Sequence, residues 1–204
     1  MAENKRFAIV DIETTGSPAS SNGITEIAIV LHDGKKIEGK YETLINPRMP
    51  IPPYVSHLTK ISNEMVAHAP NFGDVAGEIH QILDGRVFVA HNVNFDYPFL
   101  QYFFLRAGIN FQANRLCTLK LARRAFPSFE RYGLDYLCKV MDIRLANRHR
   151  AGGDAYATAL IFDRIINSGG GKLIDFLTEK AVPKLVAIPQ PFHQRHLVLK
   201  EKKA

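Results

Sequence analysis

The sequence predicts an α/β fold, a mixed central β-sheet flanked by α-helices, and three observations predict it. Residues 7–10, FAIV, are an apolar run suited to a buried strand. Residues 25–47 read as two further strands joined at Asp33-Gly34, a hairpin signal that makes the start of the sheet antiparallel. VFVAHN, residues 87–92, is a short buried strand running directly into a helical pattern, which places helices over a sheet.

The first strand leads into Asp11 and Glu13, two positions apart with Ile12 between them. Alternate residues of a strand share a face, so two carboxylates stand side by side while Ile12 anchors the opposite face. Ionised carboxylates that close repel unless a proton or a cation lies between them, which is the requirement of a hard divalent metal site. An edge strand entering a polar turn could carry the same residues, so this segment does not decide by itself. Thr14, Thr15 and Gly16 then end the strand with small side chains and a flexible turn, leaving room for a ligand at its carboxyl end.

Four prolines between 47 and 53 predict a loop without regular structure. NEMVAHAP, residues 63–70, reads as a short helix. Residues 72–85 read as a longer one, with Phe72, Val75, Ile79, Ile82 and Leu83 at helical spacing. After the strand at 87–92, Asn94 is the expected N-cap of a helix over 95–107, closed by Gly108. His91, Asn92 and Asp96 then fall at the strand end and in the first helical turn, where open α/β sheets place their ligands. The helix dipole alone also favours an aspartate there.

A helix over 116–126 sets Lys120, Arg123 and Arg124 in a basic stripe opposite Leu119, Ala122 and Phe126. Arg131, Lys139, Arg144, Arg148 and Arg150 extend the charge. Nine basic against three acidic residues over 115–150 exceed what solubility needs and point to contact with phosphates. Residues 133–143 form another amphipathic helix. Gly152-Gly153 precede a helix with Asp154 in its first turn, and His149 lies five residues earlier, on a loop beside the helix start.

At 204 residues the chain fits one sizeable core, assigned to a domain over 1–180. Residues 181–204, with Pro183, Pro189 and Pro191 and a basic end, read as a tail or linker. A contact with a polymerase or other protein partner, a linker to a further domain and a disordered end all remain open for it. No apolar run reaches eighteen residues and the start is polar, so the expectation is a cytoplasmic protein without a membrane span or secretory signal. Cys117 and Cys138 fit neither a disulfide framework nor a zinc pattern and are expected to be core thiols. The net charge of +6 excludes an acidic, polyanion-like protein and is concentrated in 115–150 and the tail.

Asp11 with Glu13, Asp96 and Asp154 thus offer four carboxylates from three elements, with a histidine beside the last. Such a set suits two oxygen-liganded divalent ions that clamp the attacking and leaving oxygens of a phosphodiester. A histidine can take a proton from the attacking water at neutral pH. Three motifs in this order, DIETTG, HNVNFDYPFL and HRAGGDA, resemble the DEDDh family of 3'-5' exonucleases, the group typified by the proofreading subunit of bacterial replicative DNA polymerase. The resemblance covers roughly residues 5–167.

By that resemblance the fold is ribonuclease-H-like, Asp11, Glu13, Asp96 and Asp154 are the metal ligands, and His149 is the general base. The tyrosine branch of the family would carry tyrosine at position 150, where this chain has Arg150, so the histidine branch is implied. Thr14 and Thr15 would touch the 3'-terminal nucleotide, with His91, Asn92 and Phe95 shaping its pocket. The stripe at Lys120, Arg123 and Arg124 would carry the incoming single strand. LTKISNEMV resembles the segment between the first two motifs, with Lys60 where many relatives have glycine, which bears on substrate preference. The implied cofactors are two Mg2+ or Mn2+ ions, and the implied reaction releases nucleoside 5'-monophosphates from single-stranded nucleic acid, DNA before RNA. An RNA-processing exonuclease and a non-catalytic polymerase-accessory or nucleic-acid-binding module stand as alternatives. An aspartyl-phosphate phosphatase is disfavoured because Glu13 stands where a second aspartate is needed and no downstream lysine motif is present.

Overall fold

Three strands open the chain in a computed structural model that describes residues 5–181: β1 (Phe7–Thr14), β2 (Ile24–His32) and β3 (Ile37–Leu44). All pair antiparallel, and the hairpin turns at Asp33, whose carboxylate accepts the Lys35 and Lys36 amides at 2.7 Å each. The proline-rich stretch is not wholly irregular, because α1 (Pro53–Thr59) begins within it. Pro53 occupies the first helical position, where a fixed φ and a missing N–H cost nothing, so the residue that suggested a loop starts a helix. Two helices follow, α2 (Asn63–Val66) and α3 (Phe72–Leu83), the second buried through Phe72, Ala76, Ile79 and Leu83.

β4 (Val87–Ala90) joins β1 in parallel and leads into α4 (Val93–Arg106). The cap is Asn92, not Asn94 as expected, and the helix starts two residues early. Asn92 has a left-handed backbone, φ 78°, a conformation asparagine tolerates, and it turns the strand sharply into the helix. The helix expected over 116–126 is divided. Its first residues form β5 (Arg115–Cys117), parallel to β4, and only α5 (Thr118–Ala125) is helical. α6 (Leu134–Val140), α7 (Ala151–Asn167) and α8 (Gly171–Leu177) complete the elements among the described residues. The five strands form one mixed sheet in the order β3-β2-β1-β4-β5.

Two cores sandwich this sheet. Phe7 and Ile9 face Leu121, Leu137 and the α7 residues Ala155, Ile161 and Phe162, while Ala8, Val10 and Ile12 face Ile79, Val93, Leu100 and Phe104. Phe7 and Phe162 meet edge to face with centroids 4.8 Å apart, a contact worth about 0.5–1.5 kcal/mol beyond its buried area. Small residues along α7, Ala151, Ala155, Ala157 and Ala159, let it lie close on β1 and β2. Gly152 and Gly153 fall inside its first turn rather than before it. A Cβ on Gly153 would come within 2.0 Å of the Ala146 carbonyl oxygen, so glycine is required for α7 to start against that loop. Both cysteines are free and buried, as expected. From residue 182 on, the expected tail lies outside the described residues. Among those residues, no helix is long and apolar enough to cross a membrane.

Candidate active site

Alternation along β1 sends odd-numbered residues toward α7 and even-numbered ones toward α4. Asp11 and Glu13 therefore face α7, while Ile12, 4% exposed, is buried on the other side. Asp154, in the first turn of α7, reaches the same place. One carboxylate oxygen from each of Asp11, Glu13 and Asp154 lies within 4.8 Å of the other two. Asp96, in the first turn of α4, is 4% exposed and accepts the Ile12 amide at 3.3 Å. It stands outside that triad but close enough to act electrostatically on Asp11.

Four acids in so small a volume cannot all ionise freely. Burial, with Asp96, Glu13 and Asp154 around it, holds Asp11 well above the usual carboxylate range. Burial, then the charges of Asp154, Glu26 and Asp96, pushes Glu13 up to about 8. Asp96 rises to about 7 through burial, opposed by backbone N–H donors. Burial also raises Asp154, against the backbone bond and charge of His149. Asp154 Oδ1 is buried without a hydrogen-bond partner, while Oδ2 accepts the His149 amide at 3.3 Å. An unpartnered buried oxygen within an all-carboxylate set is what a hard divalent cation would satisfy, so these residues fit a divalent metal ion.

His149 sits two residues before α7 with a left-handed backbone, φ 57°, and is half-buried. Asn92 and Phe95 are exposed at the start of α4. Thr14 Oγ1 donates to the Gly16 carbonyl at 3.0 Å. Thr15 is 2% exposed, and its hydroxyl accepts the Gly23 amide at 3.0 Å, so it shapes the turn rather than offering a free hydroxyl. His91 is similarly committed, with Nδ1 3.0 Å from Thr118 Oγ1 and Nε2 3.0 Å from the Tyr132 carbonyl; burial lowers its pKa.

The basic stripe is less uniform than its spacing implies. Lys120 pairs with Glu179 at 2.9 Å, and the Arg123 guanidinium lies 5.6 Å from the centroid of the Tyr132 ring, leaving Arg124 exposed beside them. Lys60 has φ 61° at the end of α1, a left-handed position that glycine fills most easily. One pair escaped the sequence reading altogether: Glu26, 1% exposed and opposite Glu13 in the β1–β2 register, bound by Arg150. A glutamate set into the mostly apolar run of β2 was its signal.

Residues 8–162 match the RNase_T exonuclease family. The 3'-5' exonuclease DinG of Bacillus subtilis is 41% identical over 164 residues, 79% of this chain but 18% of that protein. The chain thus spans less than a fifth of that curated relative. The structure of exonuclease X in complex with 5' overhanging duplex DNA superposes with a TM-score of 0.68 at 31% identity, covering 84% of this chain and 98% of that one. Escherichia coli exonuclease I in complex with a dT13 oligonucleotide shares the ribonuclease-H-like fold, with a TM-score of 0.74 at 20% identity over 85% of this chain and 43% of that one. With the sheet order, the converging acids and the histidine ahead of α7 all in place, the chain belongs to the DEDDh family of 3'-5' exonucleases.

Proposed function

We propose that the protein is a metal-dependent 3'-5' exonuclease that releases nucleoside 5'-monophosphates from the 3' end of single-stranded DNA. The observation that carries this reading is the meeting of Asp11, Glu13 and Asp154 within 4.8 Å, with Asp154 Oδ1 unpartnered. Asp96 adds a fourth acid at the start of α4. These four carboxylates would hold two Mg2+ or Mn2+ ions. When bound, such ions stabilise charge developing on the phosphodiester and acidify the attacking water.

His149 accepts the proton of that water, and its place on a short loop ahead of α7 lets it approach from solvent. The Thr14–Thr15 turn, Asn92 and Phe95 bound the pocket of the terminal nucleotide, and His91 braces its floor through Thr118 and the Tyr132 carbonyl. Phe95, 37% exposed, offers a face on which a base can stack. DNA is favoured as substrate because exonuclease X, 31% identical to this chain, is in complex with duplex DNA in its structure. A partner for residues 181–204 would engage a segment that lies, from 182 on, outside the described residues.

The test is digestion of 5'-labelled single-stranded DNA, single-stranded RNA and a mismatched duplex end, with Mg2+, Mn2+ or EDTA. Stepwise shortening from the 3' end of the DNA, with 5'-mononucleotides as product and none in EDTA, is expected. Cleavage that persists in EDTA or in Asp11→Asn would defeat the reading, and faster digestion of RNA would move the substrate class.

A further inference from the structure

The geometry points to Glu26 and Arg150 as a positioning pair that holds His149 and Asp154 in register with the acids of β1. This rests on the exonuclease reading above but concerns residues that no carboxylate motif includes. Glu26 belongs to β2 and sits opposite Glu13, yet its carboxylate is turned to another use. Arg150 Nε lies 3.1 Å from each of its oxygens, Nη2 also donates to Oε1, and the Ala151 amide donates to Oε2 at 2.7 Å. Ala151 is the first residue of α7. Glu26 therefore caps that helix from a strand 125 residues away, satisfying an amide the helix itself leaves open.

The consequence falls on the residues to either side of Arg150. The Arg150 carbonyl accepts the Asp154 amide at 3.1 Å, which fixes the turn carrying Asp154. His149, directly before, is held at φ 57°, a left-handed conformation that a residue other than glycine keeps only where the surroundings over-determine it. The fork between Arg150 and Glu26 is that surrounding, together with the His149 amide bond to Asp154 Oδ2. Arg150 also pairs with Glu26, so its positive charge offsets in part the negative charge that Glu26 adds beside the acids of β1. Glu42 packs on Gly152 on the other flank, where a Cβ would meet its carboxylate at 2.5 Å. The arrangement sets where the base and the last acid stand.

Full-length Arg150→Ala, Arg150→Lys and Glu26→Gln test the assignment. Loss of the fork misplaces His149 and the turn that carries Asp154, so Arg150→Ala should lower kcat roughly 100-fold and weaken Mn2+ binding by calorimetry, while KM for single-stranded DNA stays near wild type. Free guanidinium at sub-denaturing concentration should restore part of the rate to Arg150→Ala, and Arg150→Lys should lie between the two. In the metal-free protein, amide hydrogen exchange over residues 149–154 should quicken in Arg150→Ala and Glu26→Gln. That readout needs no activity, so it stands even if the wild type proves not to be a nuclease. Wild-type kcat in Arg150→Ala, a rise in KM without a fall in kcat, or unchanged exchange at 149–154 overturns the proposal. Should Arg150→Ala fail to fold, Glu26→Gln, which keeps the size and one acceptor oxygen, reads the same exchange and the same split of kcat from KM.

Discussion

The Ile12 amide donates to the Asp96 carboxylate at 3.3 Å, joining β1 to the first turn of α4 across 84 positions of sequence. The bond comes from the one residue of the Asp11–Glu13 segment that faces away from the acids. It fixes how far Asp96 stands from Asp11. Asp96→Asn keeps an acceptor for Ile12 and should melt like the wild type, yet lose nuclease activity. Asp96→Ala also strands the buried amide, at about 1–3 kcal/mol, and should melt lower as well. Differential scanning calorimetry beside a nuclease assay separates the two.

The metal-free protein should lose stability as pH rises. Asp11, Glu13, Asp96 and Asp154 all have folded-state pKa values above their ordinary ones, Glu13 at about 8 and Asp96 at about 7. Between about pH 4 and pH 8 the folded state therefore binds more protons than the unfolded chain, so unfolding becomes easier as pH climbs through that window. Cations that replace those protons reverse the trend. Adding Mg2+ or Mn2+ should raise Tm, and the increment should be larger at pH 8 than at pH 6. An increment that is flat with pH, or absent, contradicts ion binding at these carboxylates.

His149→Ala should reduce kcat by roughly 10²- to 10⁴-fold, the usual contribution of a general base. Its backbone amide, which bonds Asp154, is untouched by the substitution. Mn2+ affinity and Tm should accordingly remain near wild type. A parallel loss of metal binding would make His149 a support for the acids rather than a proton acceptor.

Arg124 and Lys120 should behave differently although both lie on α5. Lys120 is already paired with Glu179 at 2.9 Å, whereas Arg124 is exposed. Arg124→Ala should weaken binding of single-stranded DNA and lower the salt dependence by about one phosphate contact, and Lys120→Ala should change it less. Binding isotherms at several salt concentrations, with Asp11→Asn to prevent digestion, measure both slopes. Equal slopes for the two variants would remove α5 from the strand's path.

The apolar run at residues 7–10 and the Asp33-Gly34 turn made β1, β2 and β3 legible, because a buried strand's composition and a hairpin's turn are local properties. The same holds for Asp11 and Glu13, which share a face by spacing alone. β5 escaped because three residues show no period and run without a break into α5. α1 escaped because Pro53 opens a helix as readily as it ends one. His91 and Thr15 were legible as neighbours of the site, but not that their polar atoms are already engaged.

The sequence by itself determined the strand that bears the first two acids, the helices whose first turns bear the others, and the order in which they occur. Only the tertiary structure decided that Asp154 meets Asp11 and Glu13 while Asp96 stands beside them, and that Glu26 is claimed by Arg150 and Lys120 by Glu179. Periodicity and capping are written in residues a few positions apart. Which charge finds which partner depends on sheet register and helix packing, and those join residues from 59 to 125 positions apart.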